Sequence, residues 1–335
     1  MNQVFLPKQY EEKLDLYETQ LAIGMLRQYF QQKLCKKLNL KRVTAPLFVQ
    51  PETGLNDDLN GVERAVSFDV KATGTNVQVV HSLAKWKRMA LYEYNFPVGD
   101  GLYTDMNAIR RDEDLDNFHS IYVDQWDWEK VITRQNRTRE YLEKTVQDIV
   151  DAICDTAEMI KIEFPSVNVK LNRKVKFITT QELEDLYPDL TPKQRENAIT
   201  KEYGTVFLMC IGDKLKSGKK HDGRAPDYDD WSLNGDILFY NEVMDCALEI
   251  SSMGIRVDEK ALDEQLDKAD CNHRRTLAFH KMLLNGQLPL SIGGGIGQSR
   301  LCMLILQKAH IGQVQVSVWD NETKKICKEN GITLL

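Results

Sequence analysis

Two pairs of short alternating runs restrict the fold of this chain more than its other features do. The first pair, GLYTDMNAIR at 101–110 and HSIYVDQWDW at 119–128, is joined by an acidic, polar loop, which predicts an antiparallel hairpin. The second pair is DILFYN at 236–241 and MDCALEISS at 244–252. Helical patterns lie in separate stretches, at 8–38, 138–162, 181–201 and 260–284. Strands close in sequence with segregated helices indicate an α+β fold, a mainly antiparallel sheet flanked by helices, rather than alternating βαβ units.

Size, charge and cysteine usage narrow the class of protein. The 335 residues suit one large domain or two modest ones, and the sequence has no obvious linker. The 44 lysines and arginines against 50 aspartates and glutamates argue against a broad nucleic-acid surface. No run approaches the roughly 18 apolar residues of a membrane span, and the N-terminus lacks a signal-peptide core. The seven cysteines are scattered, with no CxxC pair, so we expect reduced thiols and a cytoplasmic location.

A glycine-rich segment, IGGGIGQSR at 292–300, is the first candidate site. Glycines permit close backbone approach, and we expect a turn here that leads into a helix whose free N–H groups could bind an anion. Arg300, one turn into that helix, could hold phosphate oxygens in a bidentate fork. The spacing matches neither a dinucleotide fingerprint nor a P-loop. A tight strand-to-helix turn without a ligand is about as consistent with the pattern.

Arginines and acids follow the first predicted strand in IRRDED at 109–114. Arg110 or Arg111 could hold a phosphate while the acids orient it or a metal ion. The alternative is a solvated hairpin tip, which composition alone favours. The acidic loop RAPDYDDW at 224–231 is likewise consistent with a solvated surface.

Asp236 and Glu249 could meet on one surface of two adjacent strands. Two carboxylates with phosphate oxygens and waters commonly hold Mg²⁺ beside a nucleotide. Alternation puts Ser251 on the same face as Glu249. An ordinary sheet with a polar outer face explains the same pattern, and without further context it is preferred.

The order of these features is more specific than any one of them. A long helix, a strand ending in Pro46, a strand–arginine–acidic loop–strand unit and a glycine-rich segment with an arginine resemble the three motifs of class II aminoacyl-tRNA synthetases, especially the aspartyl/asparaginyl branch. Several longer blocks closely resemble the ammonia-dependent asparagine synthetase family: HSLAKWKR (81–88), GLYTDMNAIRRDED (101–114), VDQWDWE (123–129), RAPDYDDW (224–231), LNGDIL (233–238), SSMGIRV (251–257) and GGGIGQSR (293–300). The resemblance covers about residues 8–319.

The resemblance implies ligation of ammonia to L-aspartate, driven by cleavage of ATP to AMP and pyrophosphate. A carboxylate is a poor electrophile because its leaving group would be oxide, whereas a β-aspartyl adenylate loses AMP. The implied cofactors and partners are ATP, Mg²⁺, L-aspartate and ammonia, with no nucleic acid and no membrane. One class II-like catalytic domain is implied over 1–335, with the N-terminal helix and first-motif strand at about 8–50 and a helical insertion at about 130–200. The first motif also implies a homodimer.

For the nucleotide, the resemblance implies that Arg110 contacts the α-phosphate. Arg111 could share or take that role, because the loop is RRDED where a single arginine followed by a proline is familiar in the family. Arg300 is implied to bind the far end of the triphosphate. The other residues implied to bind ATP are Glu113, Gly295 and Gly297, and those implied to bind the metal ion are Asp236 and Glu249.

For aspartate, the resemblance implies that Lys87 and Arg256 pair with its carboxylates. Lys87 is chosen over Lys85 on the motif match alone. Asp57 is implied near the α-amino group, with Asp58 as an alternative. The remaining positions implied to line this pocket are Ser82, Gln125, Asp229 and Ser251. Ser252, next to Ser251, is an alternative contact to substrate or phosphate.

The groups implied to take part in catalysis are Arg110, Gln125, Asp127 and Arg300. Asp127 and Asp229 are alternatives as acceptors of the proton shed by ammonium. Only one residue separates Trp231 from Leu233, whereas relatives can carry a longer loop at this place. This difference predicts a shortened lid over ATP.

Two other functions use similar residues. An aspartyl-tRNA synthetase relative would share the adenylation residues, but it would add an anticodon-binding domain, and no segment is left for one. A regulatory paralogue without turnover would be expected to lose a motif arginine or a metal acid, and all four are present.

Overall fold

The computed structural model describes residues 4–57 and 63–335, which form a large mixed sheet and a small one. The strands are β1 (Leu40–Arg42), β2 (Phe48–Val49), β3 (Ser67–Val70), β4 (Thr75–Val79), β5 (Gly101–Ile109), β6 (Tyr122–Val131), β7 (Lys176–Thr179), β8 (Thr205–Met209), β9 (Asp229–Asn241), β10 (Cys246–Arg256) and β11 (Ser291–Gly297). The eight-stranded sheet has the order β1-β5-β6-β11-β10-β9-β8-β7, and β2-β4-β3 form the small one.

The centre of the large sheet is antiparallel and its outermost pairs are parallel. The predicted hairpins β5–β6 and β9–β10 are both antiparallel neighbours, and β11 lies between β6 and β10. The pairs β1–β5 and β7–β8 are parallel. The α+β class is confirmed, although the sheet is mixed rather than antiparallel throughout.

The helices are α1 (Leu16–Leu38), α2 (Ala84–Glu93), α3 (Arg139–Glu163), α4 (Thr180–Leu186), α5 (Pro192–Tyr203), α6 (Glu259–Lys268), α7 (Ala278–Leu284), α8 (Gln298–Ile305) and α9 (Asn321–Glu329). The predicted start of α1 at Lys8 is wrong, because the Asp15 side chain accepts a hydrogen bond from the Glu18 N–H at 2.8 Å and caps the helix there. Its predicted end is right, since Asn39 adopts a left-handed conformation with φ 59°. No helix in the described ranges is both long and apolar enough to span a bilayer.

Strand β6 separates the core from a polar cavity. Trp126 and Trp128 point into the main apolar cluster, where α1 contributes Phe30, whose ring centroid lies 4.7 Å from that of Trp126. Alternate residues of a strand point to opposite faces, so Gln125 and Asp127 face the other side. The same alternation that builds the core therefore fixes the floor of the cavity.

Candidate active site

A cavity of about 430 Å³ opens on the polar face of the central strands. Most of the residues proposed from the sequence line it: Asp57, Ser82, Lys87, Arg110, Glu113, Gln125, Asp127, Asp229, Glu249, Arg256, Gly295, Gly297 and Arg300. The fold thus brings together residues that lie more than 240 positions apart in the chain.

The glycine-rich segment is strand β11, not the predicted turn. A side chain at Gly295 would collide with the Gln125 amide, and one at Gly293 would lie 2.8 Å from the Arg256 guanidinium. At Gly297 a Cβ would lie 3.2 Å from Arg300. The glycines therefore form a floor without side chains, running from Arg256 at one end of the cavity to Arg300 at the other.

Lys87 projects from α2 into the buried end of the cavity. Its ammonium donates hydrogen bonds to the Asp127 carboxylate and, at 2.8 Å, to the Gly294 carbonyl. Burial lowers the pKa of Lys87 below its ordinary value, although Asp127 opposes this shift. Lys85 points elsewhere and pairs with Asp227 at 3.2 Å, so Lys87 is the lysine of α2 that reaches the cavity.

Arg256, at the end of β10, is clamped between two buried carboxylates. It lies 3.1 Å from Glu129 and also pairs with Asp229. Burial acts against its charge, but Glu129 and Asp229 hold the pKa of Arg256 above its ordinary value. Lys87 and Arg256 thus present two paired cations at this end of the cavity.

Asp57 and Ser82 complete the same end. The Ser82 hydroxyl donates to the Asp57 carboxylate at 2.9 Å, and the His81 ring lies 2.9 Å from the Asp57 carbonyl oxygen. The alternative Asp58 lies outside the described residues.

The opposite end of the cavity carries arginines that are held more loosely. Arg110 lies 3.9 Å from Glu113, and Arg300 lies 3.5 Å from the Glu249 carboxylate. Arg111 is exposed and does not line the cavity. The next residue, Asp112, is turned towards Arg64, whose Nε donates to it at 3.0 Å. Geometry therefore favours Arg110 over Arg111.

A β-bulge in β10 changes which residues lie on the same face as Asp236 and Glu249. Asp236 lies opposite Ser252, and the register shifts between Glu249 and Ser251. The expectation that Ser251 shares the face of Glu249 is therefore wrong, because the bulge turns Ser252 to that face instead. Ser252 lines the cavity, whereas the Ser251 hydroxyl is buried without a hydrogen-bond partner among the described residues.

Asp236 and Glu249 interact electrostatically. Burial, together with the charge of Glu249, raises the pKa of Asp236 to about 7, even though Arg224 opposes the shift. Burial also acts on Glu249, but Arg300 and Arg224 hold the pKa of that carboxyl below its ordinary value. Within the part of the chain that the structure describes, no three His, Cys, Asp or Glu side chains gather as a metal site.

Arg224, Tyr228 and Glu129 are site residues that the sequence reading missed. Arg224 and Tyr228 line the cavity, and the buried carboxylate of Glu129 pairs with Arg256. The segment from 225 to 231 is largely buried, so the prediction of a solvated loop there is wrong. Trp231 and Leu233 lie within the continuous strand β9, so the predicted shortened lid between them is not a loop at all.

Comparisons with known proteins place the chain among aspartate–ammonia ligases. The family model described as aspartate-ammonia ligase matches residues 17–331. The aspartate–ammonia ligase of Clostridium perfringens strain SM101 is 59% identical over 336 residues, which covers 100% of each chain. That of Clostridium tetani is 60% identical over 333 residues, covering 99% of this chain and 98% of the relative.

Solved structures match the fold at low identity. Asparaginyl-tRNA synthetase from Entamoeba histolytica in complex with asparaginyl-adenylate gives a TM-score of 0.64 at 13% identity, covering 90% of this chain and 66% of that one. The Pyrococcus horikoshii asparaginyl-tRNA synthetase complexed with asparaginyl-adenylate also gives 0.64, at 14% identity, covering 91% and 70%. This chain spans about two thirds of those synthetases, and the likeness concerns the fold alone.

Proposed function

The chain belongs to the aspartate–ammonia ligase family, and we propose that the cavity over β6 and β11 is its active site. The enzyme ligates ammonia to L-aspartate with ATP, giving L-asparagine, AMP and pyrophosphate through a β-aspartyl adenylate. One observation carries the placement of this reaction: one cavity has two buried cations, Lys87 and Arg256, at one end, and Arg110 and Arg300 at the other. The first pair suits the carboxylates of aspartate, and the second suits a polyphosphate.

At the aspartate end, Lys87 and Arg256 bind substrate carboxylates. Both are already fixed by acids, so little orientational freedom remains to be lost when aspartate binds. Asp57 accepts from the α-ammonium group, and Ser82 holds Asp57 in place. Gln125 and Asp229 line the rest of this pocket, while Ser252 takes the position that the sequence assigned to Ser251.

At the phosphate end, Arg110 binds the α-phosphate and Arg300 the far end of the triphosphate. Gly297 lets the nucleotide approach the backbone of β11, whereas Gly295 leaves room for the Gln125 amide against that backbone. Glu113 orients Arg110. An oxygen of the β-carboxylate attacks the α-phosphorus, and the bond to the leaving pyrophosphate breaks. The arginines stabilise the charge that develops on the phosphate oxygens.

Asp127 is the proposed acceptor for the nucleophile's proton. One of its oxygens pairs with Lys87, whereas its Oδ2 is buried and accepts no hydrogen bond from any residue in the described ranges. That oxygen can take a proton from ammonium before the nitrogen attacks the β-carbonyl carbon. The new C–N bond then displaces AMP, and the nitrogen loses its second proton to the departing phosphate. Gln125 lies beside Asp127 to orient the reacting groups.

Asp236 and Glu249 suit a Mg²⁺ ion held together with ATP. Both are oxygen donors on one face, and burial of Asp236 beside the charge of Glu249 raises the pKa of Asp236, a cost that a divalent cation would relieve. The bound ion would spread the charge of the phosphates. Because no third His, Cys, Asp or Glu in the described ranges joins these two as a metal ligand, phosphate oxygens and waters would complete the ligand set.

We also propose one catalytic domain that dimerises through α1. The main core cluster joins residues from Leu14 to Trp319, with the helical segment between β6 and β8 packed into it. Tyr17, Leu21 and Met25, spaced by four on α1, are 73%, 47% and 37% exposed, which leaves an apolar stripe for a second copy. Leu21→Glu should convert a dimer to a monomer in sedimentation, whereas Ile162→Glu, on an exposed apolar residue of α3, should not.

The activity test supplies aspartate and ATP with ammonium, with glutamine, or with tRNA. We expect asparagine and AMP in equal amounts with ammonium, and little product with the other two. Formation of ADP would contradict the adenylate route, and charging of tRNA would contradict the assignment of ammonia as acceptor.

A further inference from the structure

Arg224 is the cavity arginine that the reaction outlined so far does not use. It leads into strand β9 from the preceding loop, and its Nη2 donates to the Asp236 carboxylate at 2.6 Å. Its Nη1 donates to the Ser252 hydroxyl, and its Nε is buried without a hydrogen-bond partner among the residues that the structure describes. A charged group this deep in the site, with a donor to spare, has capacity for a further acceptor.

The chain on both sides of Arg224 packs against buried groups. The His221 side chain is buried and lies 3.0 Å from Glu196 of α5, and the Ala225 carbonyl accepts a hydrogen bond from the Trp231 indole at 3.3 Å. We therefore expect Arg224 to change partner mainly by rotation of its side chain.

The two candidate metal acids each hold an arginine. Asp236 pairs with Arg224 at 2.6 Å, and Glu249 pairs with Arg300 at 3.5 Å. Mg²⁺ binds oxygen ligands at about 2.0–2.1 Å in near-octahedral geometry. The guanidinium occupies Oδ1 of Asp236, and its positive charge would repel an ion at the other oxygen, so Arg224 and a divalent cation compete for the same carboxylate.

We propose that Arg224 is a further phosphate-binding residue, held on Asp236 until a nucleotide with its divalent cation arrives. When the cation takes Asp236, the guanidinium transfers to phosphate oxygens, for which it offers a planar set of donors. This inference rests on the proposed ATP and metal positions. Binding of the metal ion without a nucleotide should be unfavourable, because the ion would displace the buried Arg224 guanidinium from Asp236 and leave it without a partner.

Binding measurements on the whole enzyme test the exchange. Arg224→Gln is compared with the wild type by calorimetric titration at pH 8 with Mg²⁺ alone, with ATP plus a chelator, and with Mg²⁺ plus a non-hydrolysable ATP analogue. We expect Mg²⁺ alone to bind about tenfold more tightly to the variant. With Mg²⁺ saturating, the analogue should bind about tenfold more weakly to the variant, since one charge-assisted contact is worth about that factor. ATP with a chelator should bind both proteins alike, because Arg224 then stays on Asp236. Arg224→Lys, which keeps the charge and loses the fork, should fall between the two.

The control is Arg195→Gln. Arg195 is 8% exposed and pairs with Glu184, much as Arg224 is 10% exposed and pairs with Asp236, but it does not line the cavity. Metal and nucleotide affinities unchanged within twofold in both Arg224 variants would overturn the proposal, as would equal changes in Arg195→Gln. Failure of the wild type to bind the analogue with Mg²⁺ would instead contradict the proposed ATP site.

Discussion

The two ends of the cavity differ in how tightly their cations are held. At the aspartate end, Lys87 and Arg256 are 1% and 2% exposed and are hydrogen-bonded to carboxylates. At the phosphate end, Arg110 and Arg300 are 26% and 23% exposed and lie 3.9 and 3.5 Å from theirs. The aspartate end is built in advance for a small substrate. The phosphate end keeps Arg110 and Arg300 in weak pairs that can be exchanged for phosphate oxygens.

Replacing Arg256 should give the largest effect on stability. Arg256→Met leaves Glu129 and Asp229 as buried charges without their main partner, which costs about 3–5 kcal/mol of unfolding free energy. Urea denaturation measures this loss. Arg134→Met is the control, because Arg134 also pairs with two acids but is 61% exposed. If Arg256→Met lost no more unfolding free energy than Arg134→Met, the cations of the aspartate end would not be held more tightly than surface ones.

Arg300→Ala should separate function from stability. Its partner Glu249 is 39% exposed, so the unfolding free energy should change by less than about 1 kcal/mol. Aspartate-dependent ATP–pyrophosphate exchange should fall about a hundredfold or more, because a cation at the reacting phosphates is lost. Arg139→Ala, which removes a surface pair with Glu143 on α3, should leave exchange intact. Normal exchange by Arg300→Ala would show that this end does not bind the triphosphate.

Asp227 links α2 and α7 beside the aspartate end of the cavity. Its Oδ2 accepts from Lys85 of α2 at 3.2 Å, from Arg274 at 2.9 Å and from His280 of α7 at 2.9 Å. The next two residues in the chain, Tyr228 and Asp229, line the cavity. Asp227 is thus a positioning residue, which holds Asp229 against Arg256 without touching substrate itself.

Asp227→Asn should destabilise the protein by about 2 kcal/mol and raise the KM for aspartate several-fold, with the KM for ATP unchanged. Burial acts against the charge, but Lys85, His280 and Arg274 hold the pKa of Asp227 well below its usual range. The stability it contributes is therefore present above the unfolded-state pKa of about 3.9 and is lost as the pH falls. The difference in unfolding free energy between wild type and variant should narrow below about pH 4. An equal rise in both KM values would indicate general loosening instead.

The family resemblance located the site, whereas the residue patterns alone favoured a solvated hairpin tip and an ordinary sheet face. Alternation along β6 agrees with the resemblance by putting Gln125 and Asp127 on one face, and the same rule marks Glu129, which was overlooked. The bulge after Glu249 could not be foreseen, because alternation carries no information on where one strand gains a residue. The Asp15–Glu18 capping box was present in the sequence and would have corrected the start of α1.

No pattern in the sequence next to Arg224 indicates that its side chain points into the cavity. Its charge is compensated by Asp236, and the two meet only when the loop before β9 folds over β10. A run of charged and polar residues around it looks like a solvated surface. Tertiary pairing of this kind is what local patterns leave out, and it occurs at both ends of the cavity.

Arg111→Ala should have the smallest effect on activity. It tests whether Arg110 or Arg111 binds the α-phosphate. Arg111 is exposed and lies outside the cavity lining, whereas Arg110 lines it, so we expect the KM for ATP to change by less than about twofold in Arg111→Ala. Arg110→Ala should reduce exchange about as strongly as Arg300→Ala. If the two arginines instead gave equal losses, the loop after β5 would have to close on ATP and bring Arg111 inside. The phosphate end would then be assembled by the nucleotide, which would widen its contrast with the prebuilt aspartate end.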